Sequence, residues 1–142
     1  MLKGISPILT GALLAHLDAM GHSDAVVVVD AHFPAARIAQ RLVELPGLSS
    51  TAVMRAVGTV LPLDDAPCLD LMAHLDGETL AIHDELTSAA GAADDQIRHL
   101  DRHTFYDAAR SAYVIVRTGE TRTYGNAILR KGVVVADDDR TR

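Results

Sequence analysis

Apolar residues recur along this chain in two alternating rhythms. After Ser6-Pro7, the residues Ile8, Leu9, Ala12, Leu13, Leu17 and Met20 fall at helical spacing, and Gly21 supplies a stop. A capping hydroxyl followed by proline at the first helical position predicts that this helix begins at Ser6-Pro7. The rhythm then changes to the run "AVVVVDA", predicting a strand over about 25–31. Its valines occupy both faces, which calls for cover on both sides and a central, parallel position.

The stretch 33–47 carries no clear period, and "LPGLSS" reads as a turn whose serines cap a second helix, "TAVMRAVGTVL". "PCLDLMAHL" reads as a strand with Asp70 and His74 near its end. "TLAIHDELTSAAGAADDQI" is a long helical pattern weakened around Gly91. A short strand over about 97–100 leads into "RHTFYDAARSA", an amphipathic helix with Phe105, Ala108 and Ala109 on one side. "YVIVRTG" is a further buried strand. "YGNAIL" and "GVVV" form a last extended segment bent at Gly132, and the polar end from about residue 136 is expected to fray. With no repeat and no linker, strands alternating with helices predict one α/β domain over residues 1–142. It has a central, mostly parallel sheet with helices on both faces.

Composition changes this picture little. Aromatic residues are scarce (three Tyr, two Phe, no Trp), so the core must be built from Val, Leu, Ile and Ala. A net charge of -6 without a basic face argues against nucleic acid as a partner. Cys68 is the single cysteine, which excludes an intrachain disulfide and reads as a small core residue. The amino-terminal stretch lacks a signal-peptide pattern, and no apolar run approaches the roughly 20 residues of a membrane span. A cytoplasmic protein without membrane contact is expected.

Candidate chemistry gathers where strands end, because ligands of open α/β sheets bind outside the carboxyl ends of strands. The polar clusters are Gly21-His22 with Asp30 and His32, then Arg102-His103, then Thr123-Tyr124-Gly125-Asn126. On extended backbone, Asp30 and His32 share a face, as do Tyr124 and Asn126. Carboxylate, phenol and amide together suit an oxygen-rich ligand with several hydroxyls. Plainer readings stand beside this one: Asp30 as a loop cap, Tyr124-Gly125-Asn126 as a simple turn, His22 as a helix-terminal residue on the dipole. His16, His83 and His99 read as surface or packing histidines. Zinc could be held by Asp30, His32 and His22, or by His74 and Asp76, but the spacing is not that of a known metal motif and no metal is assigned. Nucleotide-binding glycine motifs and a serine nucleophile elbow are absent.

Several stretches together carry a resemblance: "MLKGISP", "MGHSDAVVVVDAHFPA", "FYDAAR", "VIVRTGE" and "YGNAILRKGV". With these, the sequence resembles the ribose pyranase and fucose mutarotase family from its start to about Val133, loosely over 36–100. "DAHFP", the Phe105-Tyr106 pair and "YGN" look closer to the fucose mutarotase branch. In the ribose pyranase branch, glycine tends to stand at position 32 and alanine at position 125. The resemblance implies a ribose pyranase-like fold and an enzyme without cofactor that interconverts the anomers of a free monosaccharide, L-fucose first. It implies His22 as general acid, with Asp30, Arg102, Tyr124, Gly125 and Asn126 binding sugar and His32 shaping the pocket; His103 is the alternative to Arg102. It also implies a ring-like homo-oligomer, with a decamer as candidate size. The competing expectations are a non-catalytic sugar-binding oligomer and a pyranose–furanose interconversion of the D-ribose pyranase type. Nothing in the spacing forces residues 22–32 and 124–126 together within one chain.

Overall fold

The computed structural model describes residues 1–65 and 67–136. In it six strands form one sheet, with helices on both faces. The strands are β1 (Ala25–Val29), β2 (Leu42–Leu45), β3 (Leu69–Met72), β4 (Ile97–Leu100), β5 (Val114–Thr118) and β6 (Ala127–Arg130). Their order across the sheet is β2-β5-β1-β6-β3-β4. The pairs β2/β5, β5/β1 and β3/β4 are parallel, whereas β6 runs antiparallel to both β1 and β3. Five strands therefore point one way and β6 alone points the other. The sheet is mostly parallel, as the sequence predicts, but β1 has a parallel neighbour on only one side.

The helices are α1 (Gly11–Ala19), α2 (Ala35–Ile38), α3 (Ser50–Gly58), α4 (Ala81–Ala90) and α5 (Arg102–Ser111). The four valines of β1 divide between two cores. Val26 and Val28 pack with Leu13, Leu17, Val53, Met54 and Leu86 beneath α1, α3 and α4. Val27 and Val29 pack with Phe33, Ile38, Phe105 and Ala109 beneath α2 and α5. All four are fully buried, which at about 25 cal/mol per Å² makes this strand the apolar centre of the fold.

Local chemistry accounts for the boundaries that differ from expectation. α1 starts at Gly11, not at Pro7, because Thr10 is the cap: its hydroxyl accepts from Leu13 N–H at 3.3 Å. The Ser6 hydroxyl instead accepts from Ile8 N–H and closes a turn. β1 ends at Val29, since Asp30 bends the chain by accepting from the His32 N–H. The unassigned stretch 33–47 holds α2 and β2, each four residues long and too short to show a period. The long helical pattern stops at Gly91, which adopts the left-handed conformation (φ 72°), and a 3₁₀ turn over Asp94–Gln96 follows. Val133 and Val134 lie beyond β6 and exposed, so the last strand is shorter than "GVVV" suggests. Residues 137–142 of the end expected to fray fall outside the described residues.

Two polar groups named by the sequence are structural. Asp70 sits in the middle of β3, fully buried between Arg98 (2.8 Å) and Arg130 (2.7 Å). Burial alone would raise its carboxyl, but the two guanidiniums outweigh it and hold the group below its ordinary value. His83 is buried at the start of α4, where its Nε2 donates to the Met72 carbonyl (2.9 Å) and its Nδ1 accepts from Leu80 N–H (3.1 Å). These partners select the neutral Nε2–H form, and burial pushes its protonation below the usual range.

An unfolded chain takes up this proton near pH 6.5, and the folded chain only at lower pH. The stability held by neutral His83 is thus complete above about pH 6.5 and is lost as pH falls from there toward the depressed folded value. Urea denaturation of wild type and His83→Gln between pH 7.5 and 5 should show a steeper acid loss in wild type. Parallel curves would remove His83 from the explanation.

Candidate functional site

Asp30 follows β1, and Asn126 precedes β6. Because β6 runs antiparallel, its beginning lies beside the end of β1, one step past the Val28–Ala127 pair. The two residues, 96 apart in sequence, bond reciprocally: Asp30 N–H donates to Asn126 Oδ1 (2.8 Å) and Asn126 Nδ2 donates to Asp30 Oδ2 (3.0 Å). The other carboxylate oxygen accepts from the His32 N–H (2.9 Å). Burial raises the Asp30 carboxyl above its usual value, more than these bonds and the nearby His32 lower it. A raised carboxyl in a cleft is better suited to exchange protons than an exposed one.

A cavity of about 280 Å³ opens over this pair, lined by Asp30, His32, Phe33, Met72, Arg102, Tyr106, Thr123, Tyr124 and Asn126. Its size lies at the lower end of small-molecule sites (~300–1,000 Å³), and aromatic walls around a few converging polar groups are the usual lining of such sites. Four elements supply it: the turn after β1, the end of β3, the first turns of α5, and the segment before β6. The Asp101 carboxylate caps α5 by accepting from the His103 and Thr104 N–H groups, both at 3.0 Å. Arg102 and Tyr106, four residues apart, then share one side of that helix. His32 Nε2 donates to the Thr121 carbonyl (3.2 Å) and ties the first turn to the loop before β6.

Tyr124 is held at φ 64°, a left-handed conformation that costs a non-glycine residue roughly 1–2 kcal/mol. The surroundings impose it. The Ser50 hydroxyl donates to the Gly125 carbonyl (2.7 Å), and Arg122 bonds both Glu120 (3.0 Å) and Glu85 (2.8 Å), pinning the loop from two sides. Against the tyrosine ring lies the His74 ring, edge-on at 5.0 Å.

Of the residues picked from the sequence, Asp30, His32, Arg102, Tyr124 and Asn126 line the one cavity, and His103 does not. Gly125 is buried beneath it, where a Cβ would come within 2.9 Å of Glu120 Cγ. Its place is one of close packing under the loop, not of cavity lining. His22 lies beyond the amino end of β1, bonded to Asp64 (2.9 Å), so the strand separates it from Asp30 by on the order of 16 Å. The zinc set of Asp30, His32 and His22 is therefore not assembled within a chain. Among the described residues no three His, Cys, Asp or Glu side chains gather as a metal site. Phe33, Met72 and Tyr106 escape a reading of the sequence as site residues, because a lone methionine or a buried aromatic has the signature of core.

The chain matches known proteins over nearly its whole length. A family model for the RbsD / FucU transport protein family matches residues 3–134. The chain belongs to this family. Among solved structures, this RbsD/FucU chain is similar to the fucose mutarotase of Streptococcus pneumoniae, crystallised in complex with L-fucose. Identity is 34% and the TM-score 0.88, covering 94% of this chain and 100% of that one. FucU from Bifidobacterium longum is 35% identical with a TM-score of 0.82, at the same coverage of both chains. RbsD of Bacillus subtilis, complexed with D-ribose, shares the fold at 22% identity and a TM-score of 0.77, covering 95% of this chain and 100% of that one.

The Asp30–Asn126 bonds make a stability prediction. Asn126→Ala leaves the buried Asp30 N–H and one carboxylate oxygen without their partner, at a cost of about 1–3 kcal/mol in urea denaturation at neutral pH. A change below 0.5 kcal/mol would mean that the amide contributes little to joining the two segments.

Proposed function

We propose that this protein is a sugar mutarotase that interconverts the α and β anomers of a free monosaccharide by proton transfer, with L-fucose as first substrate. The observation that carries this reading is the convergence of Asp30, Asn126, Tyr124, Arg102 and His32 on one small cavity. The relatives include a fucose mutarotase with L-fucose bound. His32 and Gly125 stand where the fucose branch was expected to differ from the ribose branch.

The chemistry needs two proton movements. The anomeric hydroxyl loses a proton as the ring carbon–oxygen bond breaks, and the ring oxygen gains one. The open aldehyde turns about its bond to the next carbon, and the steps reverse. Asp30, its carboxyl raised by burial, accepts the first proton, while Asn126 and the His32 N–H hold it in place. Arg102 and Tyr124 bind hydroxyls, and Phe33 and Tyr106 supply apolar walls. His22 delivers the second proton. Positioned acid and base groups contribute about 10²–10⁴-fold, which suffices for a reaction that sugars already undergo in water. No cofactor has a part in these steps, and in this reading the reaction takes place in the cytoplasm.

Within one chain His22 lies at the other end of the sheet from the cavity. The reading therefore requires His22 of a neighbouring copy, and with it a ring-like homo-oligomer in which the amino end of one sheet meets the carboxyl end of the next. That same separation also favours a second reading, a sugar-binding oligomer without turnover, because the sugar-contacting residues meet in one chain without the acid.

Exchange NMR of anomeric protons across a panel of aldoses separates the two. Enhanced exchange is expected for L-fucose, and binding without enhancement would support the second reading. His32→Gly is expected to shift preference within the panel, away from L-fucose. For shared sites, His22→Ala and Tyr124→Ala should each lose most of the exchange enhancement, and mixing them should restore part of it in an assembly that sediments as a large homo-oligomer. A fully active monomer in the ultracentrifuge would refute the shared site.

A further inference from the structure

His22 stands apart from the cavity, yet its ring is built into a frame. The segment 62–64 crosses the end of β6 and is bonded to it at three points. Leu63 pairs with Lys131, Gly132 N–H donates to the Pro62 carbonyl (2.7 Å), and Asp64 N–H donates to the Arg130 carbonyl (3.1 Å). This approach requires glycine at 132, where a Cβ would sit 2.2 Å from the Leu63 oxygen and 2.9 Å from the Asp64 nitrogen.

The turn that carries His22 hangs from the same place. Ser23 N–H donates to the Lys131 carbonyl (2.8 Å), and Lys131 N–H donates to the Asp24 carbonyl (2.9 Å). Lys131 Nζ reaches back to the carbonyls of Leu17 (2.7 Å) and Met20 (2.6 Å) at the end of α1. One residue pair, Lys131-Gly132, thus sets the position of Asp64 relative to His22.

On this frame the Asp64 carboxylate spends both oxygens on adjacent residues. Oδ1 accepts from His22 Nε2 (2.9 Å) and Oδ2 from the Ser23 hydroxyl (2.8 Å). Ser23 holds a left-handed φ of 68° to present its hydroxyl, a conformation with a cost for any residue bearing a Cβ. The Asp64 side chain is 16% exposed and that of His22 59%, so the carboxylate is largely covered while the ring remains accessible. The bonds from Ser23 and His22 hold the Asp64 carboxyl below its usual value, which keeps it an acceptor. An acceptor-only partner requires a proton on Nε2.

We propose that Asp64 is a positioning residue for His22, holding the imidazole by its Nε2–H so that Nδ1 is the nitrogen that exchanges a proton with the sugar. This rests on the reading of His22 as the general acid. In the forward step the imidazolium gives its Nδ1 proton to the ring oxygen as the bond from that oxygen to the anomeric carbon breaks. The anomeric hydroxyl proton passes to Asp30, and the new carbonyl forms. His22 is left as the neutral Nε2–H form, still bonded to Asp64, and Nδ1 takes the proton back when the ring closes. Catalyst and atoms balance without a further reagent. An exposed ion pair with no catalytic part would leave kcat at the wild-type value.

The test uses the ¹⁵N-labelled full-length protein. In wild type at a pH where the ring is neutral, His22 nitrogen shifts are expected to report the Nε2–H form. Asp64→Asn should lose this bias, because an amide can also donate. It should lower kcat for L-fucose anomer exchange about 10–100-fold, the cost of removing the partner that orients a metal-bound histidine, with KM unchanged. In a His22→Ala background the same change should cost nothing more. A wild-type ring in the Nδ1–H form overturns the proposal with no variant needed, so poor folding of Asp64→Asn does not shield it. Loss of exchange in His22→Ala with wild-type kcat in Asp64→Asn removes the positioning role alone. Wild-type exchange in His22→Ala removes the acid reading on which it rests.

Discussion

The amide of Asn126 meets both the backbone and the carboxylate of Asp30, and the site depends on that junction. It joins the first strand to the last across 96 positions of sequence. It is possible only because β6 enters the sheet antiparallel, between β1 and β3, so that its beginning lies level with their ends. A parallel last strand would have carried Tyr124 and Asn126 to the opposite end. The single reversed strand is thus what gathers the cavity, and the strained Tyr124 conformation is the local consequence of turning the chain into it.

The fold also shows how two buried aspartates on one sheet come to different uses. Asp70 is fully enclosed, but two guanidiniums neutralise it, and its carboxyl stays below the usual range. Asp30 has an amide and a backbone N–H in place of arginines, and burial prevails, raising its carboxyl. The first arrangement holds a charge still and ties β3 to β4 and β6. The second leaves a carboxylate that can take and return a proton. Two cations outweigh burial at Asp70, whereas the neutral donors at Asp30 do not.

The two ends of the sheet divide the proposed work. The carboxyl ends hold the sugar-sized cavity, and the amino end holds His22 on its Asp64 and Lys131-Gly132 frame. A chain built this way has half of the proposed proton machinery on each of two distant surfaces. Association of head to tail would pair them, and such heterologous contacts close into rings when the rotation permits.

Much of this was legible in the sequence, for physical reasons. Valine runs and helical spacing demand burial on known faces, so α3, α5, β1, β4 and β5 were readable, as were the single α/β domain and the polar residues at strand ends. Short elements such as α2 and β2 have too few residues to show a period. Phe33, Met72 and Tyr106 look like core until a cavity opens beside them. The direction of β6 was not readable either, because a strand of "AILR" is equally apolar in both directions, and its pairing is settled by neighbours far away in sequence. The residue types for the proposed chemistry were therefore determined locally. Which of them meet (Asp30 with Asn126, His22 with Asp64) was decided only by tertiary structure, since hydrogen bonds between such distant segments depend on strand order and direction.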